Sequence, residues 1–280
     1  MIMAKNEPFI RSGSPLYLQI APFIKAASEE NAELEAGFST RQGGTSQSPY
    51  DTLNLGLHTD DEYRDVINNR KLLTETAGFS LDSCVVSEQV HGSRIVEITQ
   101  KHKGTGATSQ STAIPETDGI FTREKGILLT SMYADCVPLY FFAPKVGLTG
   151  LAHAGWKGTV ANIAGSMIEA FKEAGAEEGE ILAAIGPSIS MPCYEVDERV
   201  MNEVGKLPLG NAGEVAKETT QHHYLLDLKE VNRKLLRSHG VKEDRIYTSS
   251  YCTYEQADLF YSHRRDQGNT GRMMSFIGMK

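Results

Sequence analysis

The sequence is short of several features that would place it quickly. One tryptophan and four cysteines in 280 residues leave no dense disulfide framework. Cys84, Cys136, Cys193 and Cys252 lie far apart, and cysteines scattered in this way are expected to be reduced thiols or thiolates. Basic residues are outnumbered, 28 Lys and Arg against 36 Asp and Glu, for a formal net charge of -8. A field of that sign opposes wrapping nucleic acid, but it leaves room for a local basic pocket. No apolar run approaches the roughly eighteen residues of a membrane span, and the opening stretch MIMAKNEPFIRSGSPLYLQI lacks a signal-peptide core. A cytoplasmic protein with no membrane contact is expected. Repeats, low-complexity tracts and long linkers are also missing.

What is present suffices for a large core, with 40% hydrophobic and 23% charged residues. One domain spanning residues 1–280 is expected, because the two loop-like segments, 101–116 and 205–223, are each followed at once by helix or strand signals. Three helices are readable. In 159–173 the residues Val160, Ile163, Ala164, Met167, Ile168 and Phe171 form one helical stripe. Residues 228–239 form a second, ending at Gly240, and 61–77 a third, with Asp61 and Glu62 in its first turn. Short runs rich in β-branched and aromatic residues predict strands at 84–91, 94–99, 127–134, 147–153, 181–187, 245–253 and 272–279. Strands outnumber helices more than two to one. The expected fold is therefore α/β of the α+β type, a layered sandwich of mixed, mostly antiparallel sheets with helices packed outside.

Three chemically able residues stand at or near the ends of these runs, each beside a glycine, proline or turn. They are His91 in SEQVHG, Cys136 in YADCVPLYF and His153 in LAHAGWKG. Side chains at such ends project into a shared mouth more readily than into a core. Two imidazoles and a thiolate are the ligand set of a zinc site with an open fourth position. Their separations follow no zinc-finger spacing, and each residue has a plainer reading: Cys136 as a small buried hydrophobe, His153 as a hydrogen-bonded strand end. In the same stretch Gly155 and Gly158 shape the exit turn, and the helix start near Thr159 aims its amides at the site. Trp156 either stacks on a base or wedges the fold, and Lys157 faces either an anion or solvent.

These stretches belong to an ordered set. STRQGGTSQSPYDTLNLGLHTDD, SEQVHG, TDGIFT, ADCVPLYF, HAGWKGTV, IGPSISMPCYEV and SHRRDQGNTGRMMSFI, running from about Phe38 to Ile277, resemble the YfiH/YlmD-type proteins. That family was described first as laccase-domain polyphenol oxidases and later as zinc-dependent purine nucleoside phosphorylases with adenosine deaminase activity. The resemblance implies a layered α/β fold and zinc held by His91, Cys136 and His153. It also implies phosphorolysis of adenosine, inosine and related nucleosides such as guanosine and methylthioadenosine, with purine nucleosides and phosphate as partners. Oligomeric state is not implied.

Each activity makes its own demand. Deamination at C6 of adenine needs a proton shuttle beside the metal, for which Asp135, Glu88 and Gln89 are candidates; in an extended 88–91 run Gln89, not Glu88, shares a face with His91. Phosphorolysis needs an anion pocket. Arg41, with Gly43 and Gly44 beside it, is one candidate grip, and Arg264 or Arg265, with His263, is another. His58 either reaches the pocket or only enters the following helix, and Asn54 either binds a sugar hydroxyl or caps a turn. Copper oxidation fits less well, because His58, His102, His222, His223 and His239 show no paired pattern of the kind a multicopper cluster uses. A cysteine hydrolase built on Cys136 and His153 remains the competing class.

Overall fold

The run VPLYFFA is apolar throughout because it is buried on both faces. It forms β8 (Val137–Ala143), all seven residues of which are buried. Val137, Leu139, Phe141 and Ala143 belong to one core cluster, whereas Tyr140 and Phe142 belong to another. The period of two along a strand separates them. A sheet covered on both sides is the consequence, and the rest of the chain supplies the covers.

The structure is a computed structural model that describes residues 7–11, 13–209 and 214–280. Its first sheet has the order β1 (Phe9–Arg11), β2 (Tyr17–Ile20), β3 (Leu34–Ser39), β15 (Met273–Met279), β7 (Leu128–Tyr133), β4 (Cys84–Val86). The second has the order β14 (Ile246–Thr248), β10 (Leu182–Ile185), β8, β9 (Leu148–Ala154), β6 (Gly119–Thr122), β5 (Ile95–Glu97). A small third sheet joins β11 (Glu195–Asp197), β13 (His223–Leu226) and β12 (Ala216–Thr220). Pairing is antiparallel except for β4 with β7, β5 with β6 and β10 with β14. The two large sheets pack face to face, sharing a cluster that includes Phe38, Leu129 and Ile277 from the first and Tyr140, Phe142 and Leu151 from the second.

Helices cover the outer faces. On the second sheet lie α4 (Ile163–Glu173), through Ile163, Met167 and Phe171, and α6 (Leu228–Ser238), through Val231, Leu235 and Leu236. On the first lies α2 (Tyr63–Thr76), whose Leu73 packs with Val86, Met132 and Phe276. The short helices α1 (Ala21–Glu29) and α5 (Glu198–Val204) complete the set with α3 (Trp156–Val160). The layers are helix, sheet, sheet, helix, the α+β sandwich expected from the element count. No described helix is long and apolar enough to cross a membrane.

Several boundaries differ from the expected ones. The stripe in 159–173 is two helices, α3 and α4, broken at Asn162, whose φ of 58 is left-handed and whose side chain accepts from Gly165 N. Asparagine tolerates that conformation and caps α4. The chain turns into α2 later than the acidic pair suggests, with Glu62 at the N-cap and Asp61 outside. Only Cys84–Val86 of 84–91 is strand; Ser87 makes an isolated bridge to Ile114, and the backbone turns at His91, with φ 62. The loop expected at 205–223 contains β12, and its residues 210–213 lie outside the described ones.

Candidate metal centre and its cleft

Strand ends of the second sheet deliver two of the three candidate ligands. His153 is the penultimate residue of β9, on the same face as Leu151, so its ring enters the space between the sheets beside Tyr133, centroids 5.4 Å apart. Cys136 immediately precedes β8, whose register sets Val137 opposite Ala154 and Pro138 opposite His153. His91 arrives from the loop after β4. The three ligating atoms lie within 4.8 Å of one another, with Cys136 Sγ 4.0 Å from His91 Nε2. Glycine makes room for them: a Cβ on Gly155 would lie 2.8 Å from the His91 ring and 3.2 Å from Cys136 Sγ, and one on Gly158 would lie 2.9 Å from Gly92 O. Gly155 is also the N-cap of α3, so the helix start expected near Thr159 comes earlier, at Trp156.

A residue not singled out from the sequence joins them. Asp118, just before β6, receives His153 Nδ1 at 2.9 Å and the main-chain amides of Val90, His91 and Gly92 at 3.1, 3.0 and 2.7 Å. Burial alone would raise its carboxyl, but the bonds from His153 and the Gly92 and Val90 amides bring it below the usual range. Burial would likewise raise the Cys136 thiol, yet His153 and His91 draw it down to about 6. His153 moves the other way: burial lowers it, and Cys136 and Asp118 more than offset that, to about 9. Without a metal, the two opposed shifts favour a thiolate beside an imidazolium.

The cluster forms the wall between two cavities. One, of about 540 Å³, is also lined by His58, Glu88, Gln89, His263 and Arg272. The other, of about 240 Å³, is lined by Asp135, Trp156, Lys157, Tyr194 and Leu228 on the far side of His91 and Cys136. His58 stands at the cleft rim, with part of its side chain open to solvent. Loss of water around its ring, and then the charges of Arg272 and Arg70, hold its imidazole down to about 4. Arg272 donates to the carbonyls of Thr270 and Gly271.

Other expected residues are engaged elsewhere. Arg41 lines neither cavity; its guanidinium donates to Asp51 and Ala257 O and lies 4.5 Å over the Tyr261 ring. Asn54 is fully buried and bonds Thr59, Asp61, Gly56 N and Arg272 N. Arg264 donates to Glu195 O and lies over Tyr194, and Arg265 pairs with Asp266. Asp135 accepts from Thr253, Ser262 and Arg264 N. Gln89 lines the cleft, but its amide is taken up by both main-chain groups of Met132, and the turn at His91 removes the shared strand face expected for the two. Lys157 is exposed, and both it and Arg199 lie over the Trp156 ring.

A family profile described as multi-copper polyphenol oxidoreductase laccase matches residues 35–280. The purine nucleoside phosphorylase YlmD of Bacillus subtilis (strain 168) is 48% identical over 253 residues, covering 90% of this chain and 91% of that protein. The chain belongs to the laccase-domain family. Within it, the crystal structure of YlmD from Geobacillus stearothermophilus superimposes with a TM-score of 0.92 at 43% identity, covering 98% of this chain and 99% of that one. The hypothetical protein YfiH of Bacillus licheniformis gives the same TM-score at 41% identity, with the same coverage.

Proposed function

We propose that this laccase-domain protein is a zinc-dependent purine nucleoside phosphorylase that also deaminates adenosine. The observation that carries the proposal is a histidine, cysteine, histidine cluster in the wall of a cleft that also presents Arg272, His58 and His263. The donor set fits the metal: a thiol already drawn toward its anion, and an imidazole whose Nδ1 is occupied by Asp118 so that Nε2 is left for a ligand bond. His91, Cys136 and His153 would hold the zinc, which would supply Lewis acidity there. The relatives named YlmD support a phosphorylase in preference to a copper oxidase, and three donors suit one zinc better than a multicopper cluster.

In phosphorolysis a phosphate oxygen forms a bond to ribose C1′ while the purine leaves with the electron pair of the glycosidic bond and takes up a proton. The protein's share is to hold phosphate against C1′ and stabilise the departing charge. Arg272 is the cleft's guanidinium, fixed in orientation by its two carbonyl partners, and takes the anion-binding role first expected of Arg41 and Arg264. His58, neutral at pH 7, offers phosphate an N–H or accepts its proton. For deamination the shuttle falls to Glu88, which lines the cleft and accepts one bond, from Glu116 N, whereas the Asp135 carboxylate already holds three donors.

The Asp118, His153, Cys136 chain also has the order of a cysteine hydrolase, so that reading stays as the alternative. Metal analysis of the purified protein, with product identification from adenosine, decides. One zinc per chain, with adenine and ribose 1-phosphate formed only when phosphate is present and inosine formed without it, is expected. Several coppers per chain, or full activity in metal-free protein that alkylation of Cys136 destroys, would overturn the proposal.

A further inference from the structure

Three consecutive main-chain amides, those of Val90, His91 and Gly92, converge on one carboxylate. Such a row of N–H groups is an anion-binding concavity, and here the anion is the protein's own Asp118. The row converges because His91 adopts a φ of 62, a conformation that residues other than glycine seldom take. Asp118 Oδ1 receives both His91 N and His153 Nδ1, while Oδ2 receives Val90 N and Gly92 N. The backbone places it there: His153 N donates to Asp118 O at 2.8 Å, continuing the ladder in which Gly119 faces Ala152. Asp118 and His153 are therefore opposite one another across β6 and β9, with their side chains on one face.

We infer that Asp118 is a positioning residue that sets two zinc ligands at once, His91 through its backbone and His153 through its ring. The third ligand is anchored independently. Cys136 follows Asp135, whose carboxylate is tied to Thr253, Ser262 and Arg264 N. Loss of the Asp118 carboxylate thus frees the His91 loop and the His153 ring together and leaves Cys136 in place. The bond at Nδ1 also fixes the tautomer, so that His153 offers Nε2 to the metal.

The inference rests on the zinc reading above, and its test separates the two. Zinc affinity is measured by chelator competition in the wild type and in Asp118→Asn, cobalt spectra report the coordination geometry, and thermal melting of the metal-free forms reports the fold. Asparagine has one acceptor oxygen where the carboxylate has two, so its NH2 must face either His153 and the His91 amide or the Val90 and Gly92 amides, and the double hold is lost in both orientations. Affinity is expected to fall by about 10- to 100-fold, with weakened cobalt ligand-field bands, retained sulfur-to-cobalt charge transfer from Cys136, and a metal-free protein that still melts cooperatively. A folded Asp118→Asn protein with affinity within about twofold of the wild type would overturn the inference alone. Wild type that takes up neither zinc nor cobalt would sink the zinc reading and the inference with it. Should the variant fail to fold, nitrogen NMR of labelled histidine in the zinc-loaded wild type decides: a proton kept on His153 Nδ1 with the metal on Nε2 is expected, and metal on Nδ1 would refute it.

Discussion

Cys84 and Cys136 are the same side chain in two settings, and the settings set them far apart. Cys84 lies in the apolar layer between the first sheet and α2, 1% exposed beside Val86 and Met132. Burial pushes its thiol up to about 12, although buried Arg70 pulls the other way. Arg70 keeps its charge, but its guanidinium donates to the carbonyls of Leu55, Gly106 and Ala107 and can take no proton from the thiol. Cys136, at the mouth of the sandwich, is also penalised for leaving water, but two imidazoles at close range bring it to about 6. The partner that can share a proton, more than the depth of burial, decides which thiol becomes a ligand.

The comparison can be broken in several ways. Cys136→Ala should weaken zinc binding by about 100- to 1000-fold, a single ligand's share of a typical site, whereas Cys84→Ala should leave metal content unchanged. Metal analysis after dialysis against a mild chelator reads both, and equal retention of zinc would remove Cys136 from the ligand set. In metal-free protein at pH 7, alkylation of Cys136 should outpace that of Cys84 by about 100-fold or more, because the difference in thiolate fraction exceeds the loss of intrinsic nucleophilicity. Mass spectrometry of the labelled peptides measures it. The Cys136 rate should climb through pH 6 and level above it, and bound zinc should suppress it; similar labelling of the two thiols would contradict the assigned settings.

A smaller contrast concerns the two arginines. Loss of a charge-assisted hydrogen bond worth roughly 1.5–3 kcal/mol corresponds to about 10- to 150-fold in rate. Arg272→Ala should slow phosphorolysis by such a factor and spare inosine formation. Arg41→Ala should act on both reactions alike or on stability alone, so steady-state rates with and without phosphate separate the cleft arginine from the one stacked on Tyr261. His58 gives a subtler effect. Its folded imidazole is held down to about 4, so it is neutral at pH 6, and an anion beside Arg272 raises it again. Anion binding should then take up a fraction of a proton, and affinity should rise as pH falls from 7 toward 4. Calorimetry with sulfate in buffers of different ionisation heat tests this, with His58→Gln abolishing the uptake. The least effect belongs to Cys84→Ala, which should cost about 1 kcal/mol of stability in a thermal melt of the metal-free protein.

The sequence made the ends of strands legible, because apolar runs stop at glycine, proline and turn residues, and His91, Cys136 and His153 stand at such stops. Their convergence was legible only through the family resemblance, since their spacing has no period. Asp118 escaped because an Asp-Gly pair before a strand reads as a turn; what distinguishes it is its place opposite His153, and pairing register is a property of two distant segments. Arg272 reads as an ordinary strand start for the same reason. Arg41 looked like an anion grip from its glycine neighbours, but the ring it covers, Tyr261, is remote in the chain. The break at Asn162 was hidden by a stripe that runs unbroken from Val160 to Ile163 and Ala164.

The place of β15 bears on how the chain is made. This strand lies between β3 and β7, contacting both along most of its length. Without β15, β3 and β7 would each have a hydrogen-bonding edge with no partner, and nothing would join the two halves of the first sheet. Edges of that kind attract other chains, and contacts so distant in sequence form slowly. The chain is thus expected to be most prone to aggregation while β15 is not yet in place, and a shielding chaperone would be of most use to it then.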